Sequence, residues 1–254
     1  MPEDNTNFKL YSAYYDLLYQ DKDYYAEADY SYQKIIKYNP TVQSVIELGC
    51  GTGNHAQYLS KKGLKITGIE KSSSMVAEAK KKQINNFFPM EGDIRHLDLQ
   101  DTFDAAIALF HVISYLNDNN DLISCFQGVY KHLADNGIFI FDVWYTPTVL
   151  IQKPEIRIKR LENEYLKITR IAEPKSLINK SIVNVNYEIL IEDKKNSRLI
   201  TFQEMHSMRH FTINELYFLA EITRFEIVEY CEFVSDNPLS EQTWGAVFIM
   251  KKKY

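Results

Sequence analysis

Short apolar runs alternate with amphipathic segments along the chain from residue 42 onward. Apolar stretches of strand length lie at 42–48, 64–70, 86–90, 104–110 and 137–142, and segments with helical spacing of apolar side chains fall between them. The Asn136-Gly137 pair is expected to end a helix over 121–134. Strands joined by helices in this order are typical of a parallel, doubly wound sheet, so the pattern predicts an α/β fold.

The pattern changes after Trp144. Within residues 181–192, Val183, Val185, Tyr187, Ile189 and Ile191 alternate with Asn184, Asn186 and Glu188, which is the period of a half-solvated antiparallel strand. Similar strands at 156–172 and 198–208 predict an antiparallel insertion over 146–210. A helix at 214–223 and strands at 226–234 and 244–251 then complete the core. The chain is thus divided into a helical N-terminal segment (1–40), an α/β core (41–145), the insertion (146–210) and a C-terminal completion (211–254).

Composition limits the classes of partner. A net charge of −5 over 254 residues argues against a sequence-independent nucleic-acid surface, which needs a basic face. The three cysteines form no CxxC pair, so we expect reduced thiols and no metal site. The N-terminus lacks the apolar region of a signal peptide, and no apolar run approaches the roughly 18–20 residues of a membrane-spanning helix. We therefore expect a cytoplasmic protein without a membrane or nucleic-acid partner.

A glycine-rich loop follows the first predicted strand in the stretch VIELGCGTGNH (45–55). Gly49, Gly51 and Gly53 allow the backbone to turn tightly and let a ligand approach bare N–H groups at a helix N-terminus. The dinucleotide fingerprint G-x-G-x-x-G/A is not matched, because the third glycine comes one residue early. The loop predicts a ligand site; the alternative is a strand-to-helix turn that binds nothing.

Three carboxylates indicate which ligand. Glu70 closes the second strand, where it can accept both hydroxyls of an adenosine ribose, and Asp93 follows the third strand, where it can accept a bond from an adenine amino group. Glu47 ends the first strand, and its charge would repel a pyrophosphate but hold the ammonium of an amino acid. An adenosine that carries an amino acid is S-adenosylmethionine.

These motifs resemble those of the class I S-adenosylmethionine-dependent methyltransferases. ELGCGTG (47–53), Gly68-Ile69-Glu70, Gly92-Asp93 and the stretch 132–139 match the family in order and spacing over about residues 42–145. The resemblance implies a Rossmann-like seven-stranded sheet, with the amino-acid part of the cofactor on Gly49–Gly53 and the ribose on Glu70. It places the adenine between Asp93 and the apolar neighbours Met75 and Ile94, although Met75 also sits at core spacing. The remaining residues that we assign to the cofactor are Tyr15, Tyr19, Lys71 and Phe110.

Catalytic candidates should lie just past the fourth strand, because ligands meet the carboxyl ends of parallel strands. That place reads Phe110-His111-Val112-Ile113-Ser114-Tyr115. His111 is the first candidate, as a general base or as a donor that orients the acceptor, and Tyr115 is the second. The alternative for His111 is that it caps the following helix or packs without a role.

The N-terminal segment is rich in tyrosine, and Tyr11, Tyr15 and Tyr19 share one helical face at i, i+4 spacing. Electron-rich rings attract a sulfonium cation, and a helical lid could exclude water, although such spacing is also typical of a core. Residues 14–19 and 23–27 resemble the N-terminal segment of small-molecule methyltransferases, including enzymes for nucleotide-linked amino sugars. In those enzymes the insertion helps to build the acceptor pocket and often a dimer contact, which we expect here as well.

The sequence departs from the sugar enzymes at Asp142-Val143-Trp144-Tyr145, where they tend to show Pro-Trp-Trp. Trp144, His206 and Trp244 are candidates for pocket walls, with core packing as the alternative for Trp244. Basic side chains that could meet a phosphate on the acceptor occur in the insertion: Arg157, Lys159, Arg160, Lys167, Arg170 and Arg209.

We therefore expect an S-adenosylmethionine-dependent methyltransferase for N- or O-methylation of a polar small molecule, such as a phosphorylated or nucleotide-linked sugar used for a surface polysaccharide. A methyltransferase of RNA or protein is one alternative, disfavoured by the acidic charge and by Phe110-His111-Val112-Ile113 in place of an N-P-P-Y type tetrad. A non-catalytic cofactor-binding module is the other, disfavoured by the intact Glu47, Glu70 and Asp93.

Overall fold

The computed structural model describes residues 14–253, with helices and strands as follows. The helices are α1 (Tyr24–Tyr38), α2 (Asn54–Lys61), α3 (Ser73–Lys81), α4 (Asn119–His132), α5 (Thr146–Gln152) and α6 (Ile213–Ile222), and residues 14–18 are also helical. The strands are β1 (Ser44–Leu48), β2 (Lys65–Glu70), β3 (Phe87–Glu91), β4 (Phe103–Ala108), β5 (Leu133–Tyr145), β6 (Arg157–Glu162), β7 (Leu166–Leu177), β8 (Ile182–Asp193), β9 (Arg198–Phe211), β10 (Phe225–Glu232) and β11 (Gly245–Lys252).

The core is an open, mostly parallel sheet with helices on both faces. Its strand order is β3-β2-β1-β4-β5, with β11 pairing antiparallel to β5 and β10 pairing antiparallel to β11. The strands are short and apolar because the sheet is covered on both sides, as in other parallel sheets. One face packs Phe126 of α4 against Phe139 and Phe141 of β5, and the other face packs Ile35 and Leu59 of α1 and α2. The predicted α/β fold class is confirmed.

Strands β6 to β9 form an antiparallel meander that continues the sheet beyond β5. The two parts join where Trp144 pairs with His210 and Tyr145 with Phe211. Alternate residues of β8 are buried, and Ile189 of β8 and Phe202 of β9 pack with Met75 of α3 and Leu18 of the N-terminal segment. The inner face of the insertion therefore lies over the carboxyl ends of the core strands.

One predicted boundary is wrong. The Asn136-Gly137 pair does not end the helix, because α4 stops at His132 and Leu133 already begins β5. Residues 134–137 form an irregular bulge instead, since Phe103 pairs with Leu133 but Ala105 pairs with Ile138. Asn136 has a positive φ of 62°, a conformation that asparagine tolerates. The same backbone conformation occurs both at the ends of helices and in β-bulges.

Residues 1–13, with Tyr11 of the predicted lid, lie outside the described residues, as does Tyr254. The four-part division of the chain at residues 40, 145 and 210 stays a prediction. Across residues 14–253, no helix has the length and apolarity required to cross a membrane.

Candidate active site

The glycine loop between β1 and α2 surrounds an open space. Gly49, Gly51 and Gly53 all have positive φ, at 63°, 53° and 80°. A Cβ at Gly53 would lie 2.5 Å from the Phe87 ring, and one at Gly49 would lie 2.6 Å from Val112 Cγ2. A Cβ at Gly51, in contrast, would meet no described atom within 4 Å. Two glycines are thus required by packing, while Gly51 leaves room for a ligand against the backbone.

Glu70 at the end of β2 closes one side of this space. Its Oε1 accepts a bond from the Ser72 N–H at 2.8 Å, and its Oε2 accepts one from the Gly51 N–H at 3.0 Å. Burial raises the pKa of Glu70 even though these backbone bonds favour the ionised form. Each carboxylate oxygen has a second lone pair, so Glu70 can still accept both hydroxyls of a ribose.

Glu47 lies on the other side of the loop and has an unsatisfied oxygen. Its side chain is 3% exposed, and Oε1 lies 3.7 Å from His55 Nδ1. Its Oε2 is buried and has no hydrogen-bond partner among the described residues. Burial lowers the pKa of His55, but bonds to Glu27 and Glu47 outweigh that effect and raise it. A buried carboxylate oxygen without a partner is costly, and the ammonium of a bound amino acid would satisfy it.

The adenine side of the site is more polar than the sequence indicated. The Asp93 carboxylate accepts bonds from Arg95 Nε and Nη2, and these lower its pKa to about 2. Lys71 Nζ lies 3.8 Å from Asp93 Oδ2, and its side chain is 58% exposed. Ile94 is half-buried beside this ion pair, whereas Met75 is buried against Leu18 and Phe202. The roles of these four residues at the cofactor stay predictions.

Asp16, which the sequence did not single out, ties the N-terminal segment to the glycine loop. Its Oδ1 accepts bonds from Thr52 Oγ1 at 2.6 Å and Asn54 Nδ2 at 3.0 Å, and Oδ2 lies 2.7 Å from Lys82 Nζ. Burial raises the pKa of Asp16, but these donors together outweigh burial and hold the pKa below its ordinary value. The only sequence signal was one acid in an aromatic run, Tyr14-Tyr15-Asp16, and its partners are distant in sequence.

The aromatic residues predicted at the cofactor come together. The Tyr15 and Tyr19 rings are 4.9 Å apart, and Tyr19 meets the edge of Phe110 at 5.1 Å. Burial, aided by Tyr24 and Tyr19, raises the pKa of Tyr15 well above its ordinary value. Arg170 of β7 donates to the Tyr19 hydroxyl at 3.0 Å, so Tyr19 joins the core to the insertion. These rings form an apolar, electron-rich wall.

His111 lies directly after β4, where Phe110 and His111 have φ values of 65° and 61° and turn the chain out of the sheet. Its Nδ1 lies 2.6 Å from Asp142 Oδ2, and its backbone N–H donates to the same carboxylate at 3.1 Å. Burial raises the pKa of Asp142, but His111 more than offsets this and holds it below its usual range. Sequence reasoning missed Asp142, although a lone acid in the apolar run GIFIFD was a signal.

Tyr115, the second candidate, faces the insertion. Its hydroxyl lies 2.7 Å from His206 Nδ1, and the ring is 47% exposed because it lines the open cleft between the core and β9. The pKa of Tyr115 is raised well above its ordinary value by desolvation and by Tyr19, Tyr187, Glu204 and Glu70. Trp144 lies edge-on to His111 at 6.2 Å and to Trp244 at 6.2 Å.

Most of the basic side chains of the insertion are exposed or already have partners. Lys159 pairs with Asp21 and donates to the Leu18 carbonyl, and Arg209 pairs with Glu215. Arg157, Arg160 and Lys167 are exposed. Arg170 and Lys159 still reach the aromatic wall, because Arg170 Cζ lies 5.3 Å and Lys159 Nζ 6.0 Å from the centre of the Tyr19 ring. Lys22 Nζ of the N-terminal segment lies 4.2 Å from the centre of the Phe110 ring.

A group of possible metal ligands, Glu229, Cys231 and Asp236, lies far from the glycine loop in sequence. Lys34 is buried beside it, with Nζ 2.7 Å from both Glu229 Oε1 and Asp236 Oδ1. The lysine ammonium therefore supplies the positive charge that these carboxylates require.

Comparisons with known proteins agree with this geometry. Residues 45–137 match the family described as a methyltransferase domain. This part of the chain is therefore similar to a methyltransferase domain. The fold of the chain agrees with that of an S-adenosylmethionine-dependent methyltransferase from Clostridium acetobutylicum, at a TM-score of 0.80, 21% identity and coverage of 98% of this chain and 100% of the other. The predicted family and the predicted cofactor, S-adenosylmethionine, are confirmed.

Two further relatives act on sugars. The structure of the sugar N-methyltransferase KedS8 from Streptoalloteichus matches this chain with a TM-score of 0.81 and 22% identity over 94% of this chain and 93% of the other. A dTDP-3-amino-3,4,6-trideoxy-alpha-D-glucopyranose N,N-dimethyltransferase of Streptomyces venezuelae is 29% identical over 135 residues, which are 52% of this chain and 56% of that protein. The chain thus spans about half the length of the curated relatives it matches first.

Proposed function

We propose that the protein transfers a methyl group from S-adenosylmethionine to an amine of a nucleotide-linked sugar. The proposal rests on one observation, which is that two features lie at the same edge of the sheet. A cradle of Glu47, Gly51 and Glu70 fits the cofactor, and the same edge opens to the His111–Asp142 pair under the inner face of the insertion.

The cradle residues hold the cofactor at three points. Glu47 accepts the ammonium of the amino acid, the Gly51 backbone lies along it, and Glu70 accepts the ribose hydroxyls. S-adenosylmethionine supplies an electrophilic methyl carbon on a sulfonium. Tyr15, Tyr19 and Phe110 line its side of the cleft, where electron-rich rings stabilise a cation and displace water.

His111 positions the acceptor. The Asp142 carboxylate next to Nδ1 keeps a proton on that nitrogen and fixes the ring, which leaves Nε2 for a hydrogen bond to the acceptor. Methyl transfer is a displacement that depends mainly on alignment, and holding reactants in attack geometry can be worth roughly 7–11 kcal/mol. His111 thus contributes by orientation.

The substrate class rests on the relatives together with the insertion. The Streptomyces relative is named for a dTDP-linked amino sugar, and the Streptoalloteichus structure for a sugar N-methyltransferase. In this chain the exposed Arg157, Arg160 and Lys167 could meet a diphosphate. Methylation of a sugar hydroxyl, a role in polysaccharide synthesis, cytoplasmic location and a homodimer through the insertion remain predictions of the same kind.

A panel of acceptors tests the proposal. The protein is incubated with S-adenosylmethionine and dTDP-linked 3-amino and 4-amino sugars, and matched dTDP-linked sugars with a hydroxyl at the same carbon are the controls. We expect mass spectrometry to show one or two added methyl groups on the amino sugars only. Binding of S-adenosylhomocysteine without methylation of any sugar would contradict the proposal and favour a non-catalytic module, and methylation of RNA or protein instead would favour that alternative.

A further inference from the structure

A chain of three polar side chains crosses the cleft from the insertion to the core. Glu204 and His206 lie on the inner face of β9, and Tyr115 lies in the short 3-10 turn after β4. His206 Nε2 is 3.1 Å from Glu204 Oε2, and His206 Nδ1 is 2.7 Å from the Tyr115 hydroxyl. The three residues are far apart in sequence, so only the folded insertion brings them together.

The chemistry of these three side chains determines which group donates the proton in each of the two hydrogen bonds. A carboxylate only accepts, so Glu204 fixes a proton on His206 Nε2 and leaves Nδ1 as the acceptor. Tyr115 must then donate its proton to Nδ1. The phenol oxygen keeps its lone pairs for a group in the cleft, and Tyr115 is 47% exposed there.

Glu204 and His206 are held in place by burial and by a neighbouring ring. The side chains of Glu204 and His206 are only 5% and 11% exposed. The Tyr187 ring stands edge-on to His206 at 4.9 Å and 89°, which fixes the plane of the imidazole. Glu204 Oε1 is buried and has no hydrogen-bond partner in residues 14–253, so no hydrogen bond to this oxygen offsets the negative charge of the carboxylate. A buried, unpartnered carboxylate stabilises a cation beside it.

Charged and titratable groups face His206 from three elements. Glu204 faces it from β9, Tyr187 from β8 and Tyr115 from the core. Arg170 of β7 lies beyond them, 5.0 Å from the centre of the Tyr187 ring. The Glu204 carboxylate therefore places a negative charge 3.1 Å from His206 Nε2.

We propose that Tyr115, His206 and Glu204 form a proton relay that removes the proton from the acceptor amine, a step that rests on the proposed function. The acceptor enters as an ammonium, one of its N–H bonds breaks as the proton moves to the Tyr115 oxygen, and the phenol proton moves to His206 Nδ1. The products are the neutral amine, neutral Tyr115 and an imidazolium paired with Glu204. No phenolate forms, because the Tyr115 oxygen gains the proton of the acceptor as it gives up its own. The proton on His206 later leaves to solvent at the exposed side of Tyr115. Tyr115 contacts the acceptor, while His206 and Glu204 are positioning residues.

The first test needs no turnover. Long-range 15N–1H spectra of the histidines in the full-length protein should show neutral His206 with its proton on Nε2, and Glu204→Gln should disturb that tautomer. His210→Gln is the matched control, because His210 lies on the same face of β9 but bonds Thr146. A proton on His206 Nδ1 in the wild type would overturn the relay, whether or not any sugar is methylated.

The second test uses the dTDP-linked amino sugars as substrates. His206→Gln and Tyr115→Phe should each lower kcat by roughly a hundred- to ten-thousand-fold, the range of general-base effects, while the Kd for S-adenosylhomocysteine stays within about twofold. Glu204→Gln should move the acidic limb of the kcat/KM profile to lower pH, because loss of the carboxylate disfavours the imidazolium. If His206→Gln behaves like His210→Gln and only His111 variants alter the acidic limb, the base is His111 and the relay is refuted. The proposed function then still stands.

Discussion

The Glu70 carboxylate accepts a hydrogen bond from the backbone N–H of Gly51, 3.0 Å away, although 19 residues separate them in the chain. This bond joins the end of β2 to the glycine loop and sets the width of the cofactor cradle. A second bond from the Ser72 N–H holds the other oxygen. Glu70 therefore shapes the loop and also offers its remaining lone pairs to a ribose.

Glu70→Ala should weaken binding of S-adenosylhomocysteine by about 1.5–3 kcal/mol, since it removes an acceptor of charge-assisted bonds. That cost corresponds to an increase in Kd of roughly ten- to a hundredfold. Isothermal titration calorimetry measures it. Glu70→Gln is the control that keeps the shape and part of the bonding, and we expect an intermediate Kd. An unchanged Kd for Glu70→Ala would place the ribose elsewhere.

Gly53→Ala and Gly51→Ala should separate folding from ligand binding. A Cβ at Gly53 overlaps the Phe87 ring, so together with the strained φ it should lower the free energy of unfolding by roughly 2–4 kcal/mol. Gly51→Ala meets open space and should cost only about 1–2 kcal/mol from backbone strain. Urea unfolding measures both effects.

The same two variants should rank oppositely in calorimetry. Gly51→Ala places a methyl group where we expect the amino-acid part of the cofactor, so it should raise the Kd for S-adenosylhomocysteine more than Gly53→Ala does in folded protein. The opposite ranking would mean that the open space beside Gly51 is not the cofactor site.

Asp142→Asn and His111→Ala should lower kcat by a similar factor, about a hundredfold, because each removes the orientation of the acceptor. The double variant should be hardly worse than either single one, since the two residues act as a unit. Steady-state kinetics with the sugar methylated in the panel gives the double-mutant cycle, and the Kd for S-adenosylhomocysteine is the control. Full additivity of the two losses would show that Asp142 does not act through His111.

The Asp93 carboxylate should make the free energy of unfolding depend on pH in the acid range. Bonds from Arg95 lower its folded pKa to about 2, below the ordinary value of 3.8. A carboxyl with a depressed folded pKa stabilises the protein fully above its unfolded pKa and loses that contribution as pH falls toward the folded value. Asp93→Asn should therefore be less stable than the wild type at pH 7, and the difference should shrink between pH 4 and pH 2.

Urea titrations at several pH values test this. Asp121→Asn, which removes the other partner of Arg95 while leaving Asp93 in place, is the matched variant. A stability gap between wild type and Asp93→Asn that stays constant down to pH 2 would contradict the role given to the Arg95 ion pair.

Sequence patterns located the glycine loop and the carboxylates beside it because these signals are local. The loop from Gly49 to Gly53 lies in one turn, and Glu70 ends a strand whose neighbours fix it in space. The apolar runs likewise located the parallel strands. The end of α4 was predicted wrongly because Asn136 and Gly137 serve a bulge as readily as a helix stop, and β5 pairing decided between them.

The acceptor side could not be predicted because its contacts depend on tertiary structure. Asp142 meets His111 only when β4 and β5 lie side by side, and His206 meets Tyr115 only when the insertion folds back over the core. Asp16 likewise acquires its role by contact with Thr52. Periodicity assigns such residues to a face of an element, but it does not identify their partners.

Thermal unfolding with S-adenosylhomocysteine, S-adenosylmethionine and NAD, each in large excess, tests the central claim most directly. A ligand at about 100 times its Kd stabilises the native state by roughly 2.7 kcal/mol. In a protein of this size each kcal/mol raises Tm by about 2–4 °C. We predict a clear rise in Tm with both adenosyl compounds and none with NAD, and a rise with NAD alone would contradict the cofactor site built from Glu47, Gly51 and Glu70.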